Sequence, residues 1–235
     1  MIRQRVGMRQ GPRSCAGDRR ATGWVWACAA ILLLAFPRPA LSGDLVVGSF
    51  GTGDLSGWTP KVFRGETVYT LVEDGGTTVL KAESRGSASG LVKEIRLDPR
   101  SAPILRWSWK IERTLPSGNE RTKAGDDYAA RVYVVFPSAL FWRTRAVNYI
   151  WANRLPVGES LPNAYTSNAV MVAVESGNGK AGTWVHEERN IYEDYRELFG
   201  QDPPQLGAVA IMTDTDNTGE EAVAWYGDIS LGPAR

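Results

Sequence analysis

Strict alternation of apolar and polar residues constrains this chain more than any other feature of its sequence. In residues 104–111 the apolar positions are Leu105, Trp107, Trp109 and Ile111, and the polar positions between them are Arg106, Ser108 and Lys110. A β-strand places successive side chains on opposite faces of its sheet. The segment therefore predicts a strand with one buried face and one face in water.

The same period of two recurs through most of the chain after residue 43. Comparable runs lie near residues 44–50, 67–73, 77–83, 90–97, 127–136, 168–175, 183–189, 206–214 and 222–231, with Gly, Pro, Asp and Asn between them. Many short strands separated by turn residues are typical of two packed sheets. We therefore expect an all-β fold, an antiparallel β-sandwich of jelly-roll type.

One short helix is expected near residues 191–199. Asn190 and Glu193 have the spacing of a capping box, and an apolar stripe follows at Ile191, Tyr195 and Leu198. Gly200 and the following Pro203 are typical of a helix end. A second helical or irregular stretch is expected at residues 138–152.

Residues 1–42 resemble an export leader. Six arginines precede an uncharged run at residues 24–36, which is too short for a comfortable bilayer span and suits a signal peptide. Ala40-Leu41-Ser42 supplies small residues for cleavage before Gly43. We expect a periplasmic or secreted protein, with residues 43–235 as one β-sandwich domain and no integral membrane segment once the leader is removed.

Charge and cysteine content narrow the classes of function. Both cysteines, Cys15 and Cys28, lie in the leader, so residues 43–235 have no thiol for disulfides, zinc binding or catalysis. The leader holds seven basic residues and one acidic residue, which leaves 20 basic and 25 acidic residues and a net charge of −5. That balance disfavours nucleic acid and anionic membrane surfaces as partners.

Several phrases of the sequence resemble DUF3047, a bacterial family of exported proteins without an assigned activity. The segments that carry the resemblance are GDDYAARVY at 125–133, NYIW at 148–151, ERNIYEDY at 188–195, MTDTDNTG at 212–219 and YGDI at 226–229. The resemblance spans nearly all of residues 43–235. It implies an exported protein and no particular chemistry.

The two ends of the expected domain also resemble galactose-binding-like carbohydrate modules. Residues 49–58 are similar to their first strand and turn, and residues 225–229 are similar to their last strand. The resemblance implies that Asp228 joins a structural calcium site, although Gly227 stands where those modules commonly have a second acid. A likeness of fold alone does not assign a function.

The segment 212–219 is the strongest candidate for ligand chemistry. Asp214, Asp216 and Asn217 follow an apolar run, and the two carboxylates are two residues apart. Oxygen ligands of this kind suit calcium, with Asp214, Asp216 and Asp228 as the candidate set, or the hydroxyls of a sugar. The alternative is an Asx-turn in which these side chains satisfy their own backbone.

Further candidates lie on two other strands. The strand after residue 127 places Arg131 and Tyr133 on one face, with Asp126 and Asp127 just before it. An Arg offers a fork of donors for carboxylates or sugar hydroxyls, or pairs with a nearby acid. Glu187 and Arg189 share a face of their strand. Exposed indoles stack on sugar rings, and the tryptophans in polar or irregular surroundings are Trp142, Trp151 and Trp184.

The favoured interpretation is an exported, non-enzymatic protein that binds a carbohydrate or another polyhydroxy or acidic envelope ligand. One alternative is a carbohydrate-active hydrolase or lyase, which would pair Glu187 or Glu188 with Asp214 or Asp216, or use His186, the single histidine of the chain. A structural envelope protein is the other alternative. The polar residues of the distant segments are expected to converge in one hollow.

Overall fold

A computed structural model describes residues 43–234, so the expected leader lies outside the described part of the chain. The strands of this part are β1 Leu45–Gly48, β2 Trp58–Arg64, β3 Val68–Asp74, β4 Thr77–Arg85, β5 Ala88–Leu97, β6 Ile104–Ile111, β7 Arg131–Phe136, β8 Arg145–Ala152, β9 Ser160–Pro162, β10 Ala169–Ser176, β11 Val185–Asn190, β12 Leu206–Asp214 and β13 Glu221–Gly232. The α-helix is α1 Ile191–Phe199, and short 3₁₀ turns lie at Phe50–Thr52, Lys123–Gly125 and Phe141–Arg143.

The strands form two sheets. The six-stranded sheet has the order β11-β6-β13-β4-β3, with β1 paired to β13. The seven-stranded sheet has the order β2-β5-β12-β7-β8-β10-β9. The predicted β-sandwich is confirmed. One strand pair departs from the antiparallel pattern, because β8 and β10 run parallel.

Aromatic side chains join the two sheets into one core. Trp107 on β6 lies 5.3 Å from Tyr149 on β8 between ring centroids, and Trp109 lies 5.8 Å from Trp151. All four are buried, and contacts of this kind add to the burial of large apolar area. The apolar face that alternation predicts for residues 104–111 is therefore the face that is buried in the core. Trp225, in contrast, lies on the outer face, 4.5 Å below the ammonium of Lys110.

The predicted helix is confirmed together with its ends. The side chain of Asn190 accepts hydrogen bonds from the backbone N–H of Tyr192 (3.2 Å) and Glu193 (3.1 Å). These bonds satisfy donors that lack a partner inside the first turn. At the other end Gly200 has φ +67°, a left-handed conformation that favours glycine.

Of residues 138–152, expected to be helical or irregular, residues 138–144 are a loop with the 3₁₀ turn Phe141–Arg143, and the rest forms the strand β8. All residues from Val147 to Ala152 are buried, so the strand shows no alternation between apolar and polar positions. Its inner face meets the core, and Ile150 and Ala152 on its outer face belong to a second buried apolar cluster with Tyr128, Leu155, Met171 and Ala173. A strand buried on both faces cannot be distinguished from a helix by periodicity.

Two further strands have no counterpart in the sequence analysis. β2 contains Pro60 and lies at the edge of its sheet with six of its seven residues exposed. β9 has three residues and also lies at an edge. Proline is tolerated at sheet edges, where a ladder hydrogen bond is not required.

The helices of the described residues can be compared with the length and apolarity that a bilayer span requires. Within residues 43–234, the nine-residue α1 is the only α-helix, and no helix there has the length and apolarity of a bilayer span.

Candidate functional site

A cavity of about 450 Å³ lies on the outer face of the seven-stranded sheet, and we name it the outer cavity. It gathers side chains from six separate segments of the chain. Its predicted members are Asp126, Arg131, Tyr133, Asp214, Asp216 and Asn217. Its other lining residues are Phe63, Ala88, Asn148, Asn163, Tyr165, Ala169 and Met212.

Strand register brings the floor of the outer cavity together. Arg131 lies opposite Met212 of β12, and Tyr133 lies opposite Asn148 of β8. Alternation along β7 sends Val132 and Val134 into the core, so the residues between them face outward. The floor is therefore the outward face of three neighbouring strands, β12, β7 and β8.

Arg131 and Asp214 form an ion pair on this floor. Arg131 Nη2 donates to Asp214 Oδ2, and the two side chains are 6% and 3% exposed. The guanidinium also lies over the rings of Tyr128 (4.8 Å) and Tyr133 (5.4 Å). The predicted alternative of an arginine paired with a neighbouring acid is thus what the structure contains.

Burial dominates the electrostatics of this pair. It raises the pKa of the Asp214 carboxyl to about 8, against the opposing effect of Arg131, and the charges of Asp127 and Asp126 raise it further. Burial would lower the pKa of Arg131, but its pKa lies above the ordinary value because of Asp214. The arginine therefore remains charged, and its charge favours the ionised form of the Asp214 carboxyl, so the two side chains form an ion pair.

Two polar atoms on the floor have no hydrogen-bond partner among the described residues. They are Nε of Arg131, a donor, and Oδ1 of Asn148, an acceptor. Arg131 is 5% exposed and Asn148 is 1% exposed. A buried polar atom without a partner costs about 1–3 kcal/mol, and such atoms are rare in native proteins. A donor and an acceptor lining the same cavity suit a ligand that offers both.

The rim of the outer cavity carries exposed aromatic rings. Phe63 on the edge strand β2 is 67% exposed and Tyr165 is 56% exposed. The hydroxyl of Tyr165 donates to Asn217 Oδ1 (2.6 Å), and Lys123 Nζ lies 5.1 Å from its ring centroid. Tyr165 is therefore fixed in place beside the polar floor.

The side chain of Asp126 lines one wall of the outer cavity. Its carboxylate accepts from the hydroxyl of Tyr128 (3.1 Å) and from Nδ2 of Asn163 (2.7 Å). Burial raises the pKa of this carboxyl, and Arg131 opposes the shift. Burial also raises the pKa of Asp216, and the charge of Asp127 adds to the effect. The cavity is therefore lined by carboxyl groups that gain a proton more readily than usual.

Asp127 holds the turn after β12. Its carboxylate accepts from the backbone N–H of Asn217 (3.0 Å), from that of Thr218 (2.6 Å) and from Asn217 Nδ2 (3.1 Å). The side chain is fully buried. The backbone N–H groups of Asn217 and Thr218 in segment 212–219 are thus satisfied within a turn, and the carboxylate that accepts from them belongs to a different segment of the chain.

Oxygen atoms of Asp127, Asp214 and Asp216 lie within 4.8 Å of one another, a separation at which acids can hold a metal ion. However, Asp127 is committed to backbone donors and Asp214 to the guanidinium of Arg131. A calcium ion would have to compete with that cation at close range. The expected set of Asp214, Asp216 and Asp228 is not formed, because Asp228 lies on β13 in the six-stranded sheet and accepts from the N–H of Gly51 (2.7 Å).

Three further candidates also lie away from the outer cavity. Trp151 is fully buried in the core, so its ring has no exposed stacking face. Glu187 on β11 accepts from Trp109 Nε1 (3.2 Å). Arg189 makes a two-pronged ion pair with Asp194 (2.6 and 3.0 Å). The expected convergence in one hollow is therefore wrong for this set, since Glu187 and Arg189 lie on β11 of the other sheet and Trp151 is packed in the core.

The proposed catalytic carboxylates likewise do not share a cleft. A separate cavity of about 410 Å³ on the six-stranded sheet is lined by His186, Glu187, Glu188 and Asp228 among others. Asp214 and Asp216 line the outer cavity on the seven-stranded sheet. Two carboxyl groups that cleave a glycosidic bond must flank the same bond.

Sequence reasoning missed seven lining residues of the outer cavity, and three of them supply an unpartnered polar atom or an exposed ring. Asn148 had a signal, since it is the one polar residue within the apolar run at 146–152 and opens a segment that resembles DUF3047. Phe63 and Tyr165 had none, because an aromatic residue in a segment without a clear period looks the same whether it faces a cavity or the core.

Comparison with models of known protein families identifies the family to which the chain belongs. The family model of DUF3047, a protein of unknown function, matches residues 56–230. The chain belongs to the DUF3047 family. All five segments that carry the sequence resemblance lie in the matched range, and the outer cavity of this DUF3047 chain draws on three of them, at 125–133, 148–151 and 212–219.

Solved structures that match this DUF3047 chain include carbohydrate-binding modules, the class that its two ends resemble. The family 11 module of a cellulosomal cellulase of Clostridium thermocellum has a TM-score of 0.46 and 11% identity, covering 82% of this chain and 95% of the module. A family 30 module of another cellulosomal cellulase of that organism has a TM-score of 0.45 and 11% identity, covering 80% and 96%.

A third match is the K3 cleaved adhesin domain of Lys-gingipain from Porphyromonas gingivalis. It has a TM-score of 0.43 and 13% identity, covering 81% of this chain and all of the domain. No curated protein matches the DUF3047 chain.

Proposed function

We propose that this protein binds a carbohydrate or a similar polyhydroxy ligand in the outer cavity, without converting it chemically. The observation that supports the proposal is the pair of buried, unpartnered atoms on the cavity floor, Arg131 Nε and Asn148 Oδ1. A sugar hydroxyl both donates and accepts, so neighbouring hydroxyls of one ring satisfy both atoms at once.

The rest of the outer cavity supports the same ligand class. Its volume of about 450 Å³ lies within the usual range for small-molecule sites. Phe63 and Tyr165 offer apolar ring surface next to polar groups, and the C–H face of a sugar ring packs on such surfaces. Asp126 and Asp216 add acceptors on the walls for further hydroxyls.

The charge of the lining favours a neutral ligand over an acidic one. Asp126, Asp214 and Asp216 line the cavity against a single cation, Arg131, whose charge is matched by Asp214. Arg64 and Lys123 lie only at the rim. A uronate or phosphate would bring a further negative charge next to desolvated carboxyl groups, which is unfavourable. Of the ligand classes expected from sequence, the polyhydroxy class therefore fits better than the acidic class.

We propose that the protein acts outside the cytoplasm. The basic and apolar pattern of residues 1–42 supports export, and so does the absence of cysteine from residues 43–235. Binding without turnover is supported by the position of the expected carboxylate pair on two different sheets.

The test is a thermal melt of the full chain with a panel of neutral, amino and acidic glycans. A ligand at one hundred times its Kd stabilises by about 2.7 kcal/mol, which is a shift of roughly 5–10 °C for a chain of this size. Phe63→Ala and Tyr165→Ala should each reduce the shift. Val62→Ala is the matched control, because Val62 is exposed on the same strand and does not line the cavity.

Two outcomes would contradict the proposal. If no glycan shifts the melting temperature, the structural alternative is favoured. If any glycan is cleaved, and the cleavage is lost in Asp216→Asn while this variant melts as the wild type does, the site is catalytic and the enzyme alternative is correct.

A further inference from the structure

The loop between β7 and β8 exposes three consecutive large apolar side chains. Leu140 is 40% exposed, Phe141 81% and Trp142 58%, and we name these residues the aromatic tip. Single exposed apolar residues are normal on protein surfaces, whereas a contiguous group marks a site of contact. The aromatic tip shares no residue with the outer cavity, so its role is independent of sugar binding there.

The aromatic tip is held in a defined shape. The N–H of Arg143 donates to Leu140 O (2.8 Å), and the N–H of Thr144 donates to Phe141 O (3.0 Å), which closes the 3₁₀ turn. Asn168 Nδ2 donates to Trp142 O (2.6 Å) and ties the turn to the neighbouring loop. The two rings pack edge to face at 5.1 Å. The side chains thus project from a fixed turn, so little conformational entropy is lost when a partner covers them.

Two arginines beside the aromatic tip carry charge that no acid balances. Among residues 43–234, neither Arg143 nor Arg145 forms an ion pair. The guanidinium of Arg145 instead packs over the ring of Phe199 (4.7 Å). The acid that lines the same depression, Asp202, is already paired with Arg100 (2.7 Å) and Arg196 (3.3 Å).

We propose that the aromatic tip docks on the surface of a phospholipid bilayer, with Phe141 and Trp142 at the boundary of headgroups and acyl chains and Arg143 against lipid phosphate. Trp is well suited to that boundary, since its ring is apolar and its N–H is polar. Unbalanced arginines complement phosphate, each contributing about 1 kcal/mol near an anionic surface. The chain as a whole is acidic, but the charge within one Debye length of the tip decides the contact.

A bilayer fits this surface better than a protein partner does. The exposed apolar residues are three consecutive side chains at one short turn. A stable protein interface needs about 800 Å² of complementary surface from each partner, or roughly 20–30 residues, whereas a fluid lipid boundary needs no shaped counterpart.

The experiment measures co-sedimentation of the full chain with two kinds of vesicle, phosphatidylcholine alone and phosphatidylcholine mixed with phosphatidylglycerol. Residues 1–42 are the same in all variants, so their contribution cancels. Phe141→Ser/Trp142→Ser should reduce the partition coefficient at least tenfold, roughly what the burial of one large apolar side chain contributes. Arg143→Gln should reduce it about fivefold on the anionic vesicles only.

Val157→Ser is the matched control, because Val157 is 60% exposed and lies outside the aromatic tip. It should bind vesicles as the wild type does. Melting temperatures of all variants should agree, since the changed side chains are in water. Equal binding by wild type and Phe141→Ser/Trp142→Ser, or no binding by either, would overturn the proposal. So would a dimer in sedimentation velocity that this double variant abolishes, because a second copy would then cover the tip.

Discussion

Arg131 on β7 and Asp214 on β12 pair across neighbouring strands of the seven-stranded sheet, and both side chains are almost completely buried. The pair forms the floor of the outer cavity, yet it leaves Nε of the arginine without a partner among residues 43–234. One side of the guanidinium thus stabilises the fold, and Nε is the donor that we propose a ligand satisfies.

Removing one member of this pair should be strongly destabilising. Asp214→Leu leaves a buried guanidinium without its counter-ion, which typically costs about 3–5 kcal/mol. Arg131→Leu leaves a buried carboxyl that can be protonated, so its cost should be smaller. The Arg131→Leu/Asp214→Leu variant should cost clearly less than the two single changes added together. Urea denaturation at neutral pH measures all three, and additive costs would show that the two residues do not act as a pair.

Asn148→Leu should separate stability from ligand binding. The change removes a buried acceptor without a partner, and it loses a weak contact from Asn148 Nδ2 to Met171 Sδ (3.2 Å) and a hydrogen bond with the Tyr133 side chain. The melting temperature of the free protein should therefore stay the same or rise, while the shift caused by a glycan should disappear.

Asn178→Leu is the control with the opposite expectation. Asn178 Oδ1 accepts from the N–H of Thr114 (2.7 Å), far from the outer cavity in the sequence and absent from its lining. This variant should melt at a lower temperature and keep the glycan shift. A glycan shift that survives in Asn148→Leu would remove Asn148 from the site.

Calcium should not affect stability, although three acids lie close together. Asp127→Ala should destabilise by about 1–3 kcal/mol, because the N–H groups of Asn217 and Thr218 lose their acceptor. EDTA and added calcium should leave the wild-type melting temperature unchanged. A fall with EDTA in the wild type that is absent in Asp127→Ala would establish a structural calcium ion at this turn.

Glu187 should make stability depend on pH. Burial raises its pKa to about 7, and the charge of Glu175 adds to the effect. The folded state then keeps a proton that the unfolded state has lost, so stability falls as the pH rises from about 4.5 to about 7. Glu187→Gln keeps a side-chain acceptor for Trp109 and cannot ionise.

Melting curves at several pH values test this expectation. Glu187→Gln should melt higher than the wild type at pH 8, and the difference should shrink below pH 5, where the wild-type carboxyl is protonated in both states. A difference that is constant with pH would show that the substitution acts through packing rather than through charge.

Part of the outer cavity could be predicted from sequence because it depends on local order. Arg131 and Tyr133 alternate with Val132 and Val134, so their common face follows from the period of a strand alone. Asp214 and Asp216 mark the end of an apolar run in the same way. Their meeting follows from the pairing of β7 with β12, which links segments about eighty residues apart.

Trp151 shows the limit of such reasoning. It stands near the end of an apolar run that has no period and is followed by Asn153 and Arg154, and it lies fully buried against Trp109 of the other sheet. Whether an indole is exposed depends on what covers its strand, and β8 is covered on both faces by segments remote in sequence. Glu187 and Arg189 show the same limit. Alternation predicts that they share a face of their strand, but it does not predict that this strand lies in the six-stranded sheet, away from the outer cavity.

Local alternation, turn residues and helix capping determined the strands, the helix and the class of fold, because each depends on side chains a few residues apart. The tertiary structure alone decided which polar groups share a cavity and which atoms remain without partners. The order of strands within the two sheets fixes those neighbours, and that order arises from long-range pairing which no local pattern encodes.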